Sequence, residues 1–169
     1  MRQWVFQDWG VNVSRPDSQL LLAWFRLAQW ARHRWSWWAR LIVTPYWWIA
    51  GMILGVELPL DGDVGPRLRL YHPHSIVLSP VTGIGADCHL RHGVTIGNRG
   101  ERDGSELGTA TIGADVDLGA GCAVIGDLHV GDHARIGALA VVTKAVPPWA
   151  VVVGNPGRVI RIDGPPESD

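Results

Sequence analysis

The stretch from Ile112 to Val142 reads IGADVDLGAGCAVIGDLHVGDHARIGALAVV and determines the fold. An aliphatic residue recurs in it at every sixth position: Ile112, Leu118, Val124, Val130, Ile136 and Val142. A six-residue period matches neither the roughly 3.6-residue repeat of a helix nor the alternation of a strand. It is typical of a β-solenoid, in which each hexapeptide forms one side of a coil and small residues allow the corners.

The same period extends upstream, where it is interrupted twice. Two earlier runs carry it: Val64, Leu70 and Ile76, then Ile84, Leu90 and Ile96. The phase slips by two residues between Ile76 and Ile84, and a polar segment, residues 98–106, separates Ile96 from Ile112. We therefore predict triangular coils of about 18 residues each. Residues 98–106 are expected to form a loop thrown out from the coils, where function is often located.

The chain falls into three regions. Residues 1–55 contain nine of the ten Trp and six Arg against two Asp, a charge of +4. Residues 56–169 carry nine Lys or Arg and fourteen Asp or Glu, a charge of −5. We predict a mainly β chain: a parallel β-helix over residues 56–162, a short α-helical region over residues 1–55 before it, and a disordered tail over residues 163–169.

Two helices are predicted in the N-terminal region, after an irregular lead-in over residues 1–13. Apolar residues recur at three- and four-residue spacing after Asp17 and Ser18, either of which can cap the first helix. The second helix is predicted from about Trp35 to Gly51, either kinked or restarted at Pro45. The clustered Trp and Arg leave two interpretations open: helices packed over the end of an assembly, or peripheral contact with the inner membrane.

Several functional classes are disfavoured by composition. A net charge of −1 gives no reason to expect a nucleic acid partner. Cys88 and Cys122 are too few for a disulfide framework and lack metal-clip spacing, so we expect buried thiols in a reducing cytoplasm. No signal peptide is evident at the start, and the apolar run Leu41–Val56 is shorter than the roughly 20 residues that span a bilayer. These observations predict a cytoplasmic protein.

The end of the repeat carries a family resemblance. Val-Pro-Pro-Trp-Ala at 146–150 is followed by Val-Gly-Asn-Pro-Gly-Arg-Val-Ile at 153–160. With the hexapeptide series, this ending resembles the left-handed β-helix acyltransferases, and among them the serine O-acetyltransferase group. The resemblance covers about residues 50–162. It implies a left-handed helix, acetyl-CoA as co-substrate, and a homotrimer with active sites between subunits.

Two residues match the catalytic pair of that group. Glu57 precedes the first coil where the serine enzymes carry an acid, and His72 follows fifteen residues later in Leu-Tyr-His, where they carry Leu-Asp-His. The resemblance implies that His72 is the general base for an acceptor hydroxyl and that Glu57 fixes its tautomer. No Ser or Cys nucleophile is then required. A surface histidine and a solvated carboxylate are the alternatives for the two residues.

The acceptor site departs from the serine enzymes. Tyr71 replaces their Asp, and residues 108–110, Gly-Thr-Ala, replace their Arg-His-Pro. An amino-acid acceptor needs partners for its carboxylate and its ammonium, and two expected partners are missing. Residues 91–100 look like a subgroup of colanic-acid and exopolysaccharide acetyltransferases. We therefore predict a sugar hydroxyl as acceptor, with serine as the alternative, and Tyr71, His92 and Arg99 as substrate-binding residues.

Acetyl-CoA binding is predicted near the end of the stack. Ala120 and Ala138 match positions that contact CoA in the family, and small side chains permit close approach. Lys144 and Arg158 are candidates for its phosphates. No metal is expected, because two His four residues apart point to different faces of a hexapeptide coil. Solenoid carbonic anhydrases need three zinc-binding His, and no His trio here has such spacing.

Overall fold

A computed structural model describes residues 2–32, 37–100 and 106–164, with the backbone alone at residues 99, 100, 106 and 107. The helical elements are α1 (Arg2–Val5), a 3-10 turn (Gly10–Asn12), α2 (Pro16–Arg32), α3 (Trp37–Tyr46) and a π-helix (Trp47–Ile53). The strands are β1 (Val56–Glu57), β2 (Arg69–Tyr71), β3 (Ile76–Leu78), β4 (Gly83–Ile84), β5 (His89–Arg91), β6 (Thr95–Gly100), β7 (Glu106–Thr109), β8 (Thr111–Ile112), β9 (Asp117–Leu118), β10 (Ala123–Ile125), β11 (His129–Val130), β12 (Arg135–Ile136), β13 (Val141–Val142), β14 (Ala150–Val153) and β15 (Arg158–Ile162).

The strands form three sheets that run the length of a β-helix. Their orders are β1-β3-β6-β10-β13, β4-β8-β11 and β2-β5-β9-β12-β14-β15. Pairing between successive coils is parallel, as between β5 and β9 or β10 and β13. All twelve aliphatic residues of the predicted period are buried in the core between the sheets. A coil buries these side chains only against its neighbours, so the stack is the stable unit.

One corner of the first coil is longer than the repeat predicts. Tyr71 is level with Arg91 in the next coil, and Val77 is level with Thr95. Five residues lie between Tyr71 and Val77 in the first coil, whereas only three lie between Arg91 and Thr95 in the next coil. Two extra residues therefore lie in the corner that carries His72.

This finding corrects the position of the phase slip. It was predicted between Ile76 and Ile84, but the register puts Ile76 level with Val94 and Leu78 level with Ile96. The insertion thus precedes Ile76. Ile76 and Leu78 are both buried, so apolar spacing alone does not show which of them marks the repeat.

Two antiparallel strands flank the described ends of the polar segment between Ile96 and Ile112. β6 and β7 are antiparallel, with Asn98 opposite Thr109 and Gly100 opposite Glu106. Residues 101–105 lie outside the described part of the chain, as does the side chain of Arg99, although its backbone belongs to β6. The described ends of the predicted loop are therefore paired strands, and the prediction for residues 101–105 lies outside the described residues.

A buried ion pair attaches the helical region to the first coil. Arg26 of α2 donates from Nε to Oδ2 of Asp8 at 2.8 Å, and their side chains are 1% and 2% exposed. Arg26 also donates to the carbonyl oxygens of Val64 and Gly65, at 2.7 Å each. Asp8 accepts from the backbone N–H of Leu68 at 2.9 Å. The first coil has no coil before it, and these side chains satisfy its open backbone groups.

Two further polar side chains make the same kind of contact. Asn12 accepts from the backbone N–H of Leu70 at 3.1 Å, and Ser18 donates to the carbonyl oxygen of Leu70 at 3.1 Å. The prediction that Asp17 or Ser18 caps the helix was wrong, because α2 begins at Pro16 and Ser18 is buried against the coil. Proline suits the first position of a helix, because a backbone N–H at that position would have no partner within the helix.

The second helix divides after its proline. α3 ends at Tyr46, one residue after Pro45, and the π-helix continues from there. Large apolar side chains remain exposed along both: Trp37, Leu41, Trp48, Met52 and Ile53. Among the described helices, none has both the length and the apolar character that crossing a bilayer requires. Contact with the inner membrane and a cytoplasmic location stay predictions.

Both cysteines are expected to be unreactive in the folded protein. Burial raises the pKa of the Cys88 thiol to about 11 and that of Cys122 to about 12. Only the thiolate is nucleophilic, so neither residue should react with Ellman's reagent at pH 8, whereas both should react in guanidinium chloride. Fast labelling of the native protein would show that the coils open, and it would also interfere with assays that detect released CoA thiol.

Candidate active site

His72 lies exposed at the corner between β2 and β3. Its φ is +58°, in the left-handed region, and Pro73 after it is buried. The ring centre of His72 is 6.3 Å from that of His92, with the planes at 71°. The predicted base and one predicted substrate-binding residue are therefore brought together on successive coils.

Glu57 lies on the outer face of the neighbouring sheet. β1 places it level with Val77 of the next coil, and its side chain is exposed. Neither Glu57 nor His72 makes a side-chain hydrogen bond or ion pair to any residue in the described ranges. The two side chains are thus available on the surface, and the structure does not join them directly.

Tyr71 is surrounded by arginines on the outer face of β2. The guanidinium carbons of Arg15, Arg91 and Arg69 lie 4.5, 5.0 and 5.9 Å from the centre of its ring. Arg69 also donates from Nη1 to the Tyr71 hydroxyl at 3.2 Å and from Nε to the carbonyl oxygen of Val11 at 2.7 Å. Tyr71 and these three arginines are called the Tyr71 cluster below.

The Tyr71 cluster carries more positive than negative charge. Arg91 forms an ion pair with Asp117, the one such pair of a cluster arginine within the described residues. His89 contacts the Tyr71 ring edge-on at 5.9 Å. Its pKa is lowered first by burial and then by the charge of Arg69, so its imidazole is neutral at pH 7. The cluster thus holds three guanidinium groups and one ion-paired carboxylate, and the charge of a second carboxylate, Asp115, also acts on His89.

A row of small residues continues from the histidine corner along the stack. The backbone N–H of Gly121 donates to the carbonyl oxygen of His92 at 3.0 Å, and that of Leu139 donates to Ala120 at 2.9 Å. These bonds place His92, Ala120 and Ala138 in one line on successive coils. Ala138 is exposed and Ala120 is half-buried, so the line is open to an extended ligand.

The two predicted phosphate-binding cations share a pocket. Lys144 and Arg158 line a cavity of about 340 Å³, together with Thr143 and Gly157. Both cations are exposed, and Arg158 donates to the carbonyl oxygen of Gly157 at 3.0 Å. Their charge suits the phosphates of a nucleotide. Within residues 2–32, 37–100 and 106–164, no group of three or more His, Cys, Asp or Glu could hold a metal ion.

Sequence comparison shows the family. A serine acetyltransferase of Helicobacter pylori is 34% identical over 155 residues, which cover 92% of this chain and 87% of the relative. The chain belongs to the serine acetyltransferase family. A protein of Escherichia coli (strain K12) named as a colanic acid biosynthesis acetyltransferase is 35% identical over 122 residues, 72% of this chain and 74% of that protein. A serine acetyltransferase of Mycobacterium tuberculosis is 38% identical over 135 residues, and the chain spans 57% of its length. No family model matches the chain.

Solved structures of the serine acetyltransferase family confirm the fold. The enzyme of Neisseria gonorrhoeae superposes with a TM-score of 0.81 at 22% identity, over 98% of this chain and 68% of that one. The enzyme of Vibrio cholerae gives 0.80 at 24% identity, over 99% and 67%. The predicted left-handed parallel β-helix is therefore correct, including the handedness that only the resemblance implied.

Residues 108–110 stand where the serine enzymes carry Arg-His-Pro, and none of the three has a polar side chain that faces outward. Thr109 is buried, and its hydroxyl lies 3.4 Å from that of Thr82. A Cβ on Gly108 would lie 2.8 Å from the side chain of Asp127. A longer side chain at position 108 would have to displace Asp127.

The arginines of the Tyr71 cluster were missed at the level of sequence. Leu70 and Leu90 are equivalent core positions of successive coils, so Tyr71 and Arg91 after them necessarily lie side by side. This equivalence could have predicted Arg91 as a neighbour of Tyr71. Arg69 could have been predicted as well, because it lies two positions before Tyr71 and therefore on the same face of β2. No period places Arg15 there, because it comes from the N-terminal region.

Proposed function

We propose that the protein is an acetyl-CoA-dependent O-acetyltransferase that acts on a hydroxyl of a sugar or glycan precursor in polysaccharide biosynthesis. Relatives with acetyltransferase names support acetyl transfer. The surroundings of Tyr71 carry the proposal of a sugar acceptor. Tyr71, which replaces the Asp of the serine enzymes, is surrounded by three guanidinium groups. Serine would bring its ammonium group, another positive charge, to this position. Because like charges repel, an ammonium is disfavoured next to these guanidinium groups.

Serine O-acetylation in cysteine biosynthesis is the second candidate function. The 38% identity to the Mycobacterium tuberculosis serine acetyltransferase favours it. It requires an anionic partner for the serine ammonium. Within the described residues, the acid nearest to the cluster in sequence register is Asp117, whose carboxylate is already paired with Arg91.

Direct transfer requires no nucleophile from the protein. His72 accepts the proton of the acceptor hydroxyl while the hydroxyl oxygen attacks the acetyl carbonyl carbon. The carbon–sulfur bond of the thioester then breaks, and His72 returns the proton to the leaving sulfur. Acetyl ester and CoA thiol are the products. Cys88 and Cys122 are buried, which supports transfer without a covalent enzyme intermediate.

The proposed active site lies between the subunits of a homotrimer. Glu57 and His72 are exposed and have no hydrogen-bonding partner in the described part of their own chain. Partners from a neighbouring subunit would complete the site, as in the family to which the chain is similar. CoA is placed along Ala120 and Ala138, with its phosphates at the cavity of Lys144 and Arg158. Light scattering of the purified protein measures the assembly directly.

Replacing Glu57 with Gln is expected to lower kcat by less than about 100-fold, a smaller loss than removal of the base itself. The amide keeps the shape but no longer stabilises the imidazolium formed during proton transfer. The measurement is steady-state release of CoA thiol at saturating substrates. Asp63→Asn, an exposed acid of the same coil, is the matched control and should retain full activity. Wild-type kcat for the Glu57 variant would remove this residue from the mechanism.

Thiol release from acetyl-CoA with a panel of acceptors tests the proposed function. The panel contains serine, nucleotide sugars and neutral oligosaccharides. We expect turnover with at least one carbohydrate and none above background hydrolysis with serine. Turnover with serine alone would reverse the order of the two candidate functions.

A further inference from the structure

We propose that the Tyr71 cluster is an anion site that binds a phosphate group of the acceptor, so that the acceptor is a phosphorylated or nucleotide-activated sugar. The inference rests on the proposed function, because it names the substrate class of the same site. It is carried by the charge, the geometry and the position of Tyr71, Arg15, Arg69 and Arg91.

Among the residues that the structure describes, ion pairs do not balance the charge of the Tyr71 cluster. Arg15 contacts the ring of Tyr71 but makes no side-chain hydrogen bond to any described residue. Arg69 uses its donors on a hydroxyl and a backbone carbonyl, neither of which is charged. With Arg91 paired to Asp117, two positive charges remain. Arginine forks match phosphate oxygens in two-point hydrogen bonds, which makes phosphate the fitting ligand.

The aromatic ring of Tyr71 is the contact that the guanidinium groups share. Cation–π contacts draw Arg15 and Arg91 to the Tyr71 ring, at 4.5 and 5.0 Å. Gathering like charges is costly unless an anion joins them. The Arg91 side chain is 38% exposed, so an anion can reach the cluster from solvent.

The position of the cluster suits an acceptor of the proposed reaction. Tyr71 directly precedes His72, and Arg91 directly precedes His92, on neighbouring strands of one sheet. A phosphate bound by the cluster therefore leaves the attached sugar beside the proposed base. A diphosphate carries two or more negative charges, which match the excess positive charge of the Tyr71 cluster. The single carboxylate of serine matches it less well, and its ammonium is repelled.

Inorganic pyrophosphate is the probe for the anion site, titrated by calorimetry into the full-length protein with CoA at saturation. CoA blocks its own phosphate pocket, so the remaining heat reports on the cluster. We expect Arg15→Met to weaken pyrophosphate binding about tenfold or more. Arg15→Lys should weaken binding less than Arg15→Met, because lysine keeps the charge but loses the two-point fork. Arg161→Met on β15 is the matched control and should bind as wild type. Equal affinity of wild type and Arg15→Met would overturn the proposal.

Kinetic assays with three acceptors identify the source of the phosphate. They also distinguish failure of the anion site from failure of the proposed function. Thiol release is measured with a nucleoside diphosphate sugar, a sugar 1-phosphate and an uncharged oligosaccharide, for wild type and Arg15→Met. We expect the variant to raise KM about tenfold for whichever phosphorylated acceptor is used. Equal efficiency with the uncharged oligosaccharide would overturn the assignment of the anion site to a phosphate of the acceptor. If no acceptor releases thiol but pyrophosphate binding still depends on Arg15, the proposed function falls and the anion site stands.

Discussion

Replacing His72 with Asn is expected to lower kcat by about 10²–10⁴-fold, the contribution of a well-placed general base. His72 is exposed at a corner with a φ of +58°. Asn tolerates that backbone conformation better than most residues, so the variant removes the imidazole without straining the turn. The folded state should be retained, as measured by circular dichroism and thermal unfolding. The activity measurement is thiol release with the acceptor that the panel identifies.

His74→Asn is the matched control for that experiment. His74 is also exposed and lies in the same corner, two residues further along, but it has no role in the proposed proton transfer. It should keep near-wild-type kcat. Near-wild-type turnover by the His72 variant would remove the base from the mechanism and leave the His72–His92 contact as a packing feature of the corner.

Replacing Asp8 with Asn is expected to lower the free energy of unfolding by about 3–5 kcal/mol, the cost of breaking a buried ion pair on one side. The substitution leaves the Arg26 guanidinium buried without an anionic partner and turns an amide toward its N–H groups. Arg26 is 1% exposed, so water cannot compensate. Denaturant unfolding monitored by Trp fluorescence is the measurement, because most Trp lie in the helical region that this pair attaches.

Asp87→Asn provides the matched comparison for the ion pair. Asp87 pairs with Arg67, with side chains 40% and 51% exposed, respectively, and surface pairs of this kind contribute about 0–1 kcal/mol. Asn also tolerates the positive φ of Asp87. A loss for Asp8→Asn no larger than that for Asp87→Asn would mean that the helical region is not anchored by its buried polar contacts.

The coils could be predicted because their residues obey a local rule. Leu118 and Val124 both occupy the inward-pointing position of a hexapeptide. Each buries its side chain against its equivalent in the next coil. The two-residue insertion before Ile76 escaped this rule, since Ile76 and Leu78 both fit the core. Only the pairing register showed that the longer corner is the one that carries His72.

The parts of the site and fold that could not be predicted depend on contacts between distant segments. Asp8 and Arg26 are polar residues in an aromatic-rich region, and nothing in their spacing indicates that both are buried. Arg15 reaches Tyr71 from 56 positions earlier in the chain. Such contacts have no period, because they are set by where the helical region meets the first coil.

A competition assay tests the central claim most directly. Serine and a nucleoside diphosphate sugar are supplied together at equal concentration with limiting acetyl-CoA, and the acetylated products are identified by mass spectrometry. The account predicts an acetylated sugar product and unmodified serine, with at least about 100-fold slower formation of acetylated sugar by His72→Asn. Acetylated serine as the main product would contradict it.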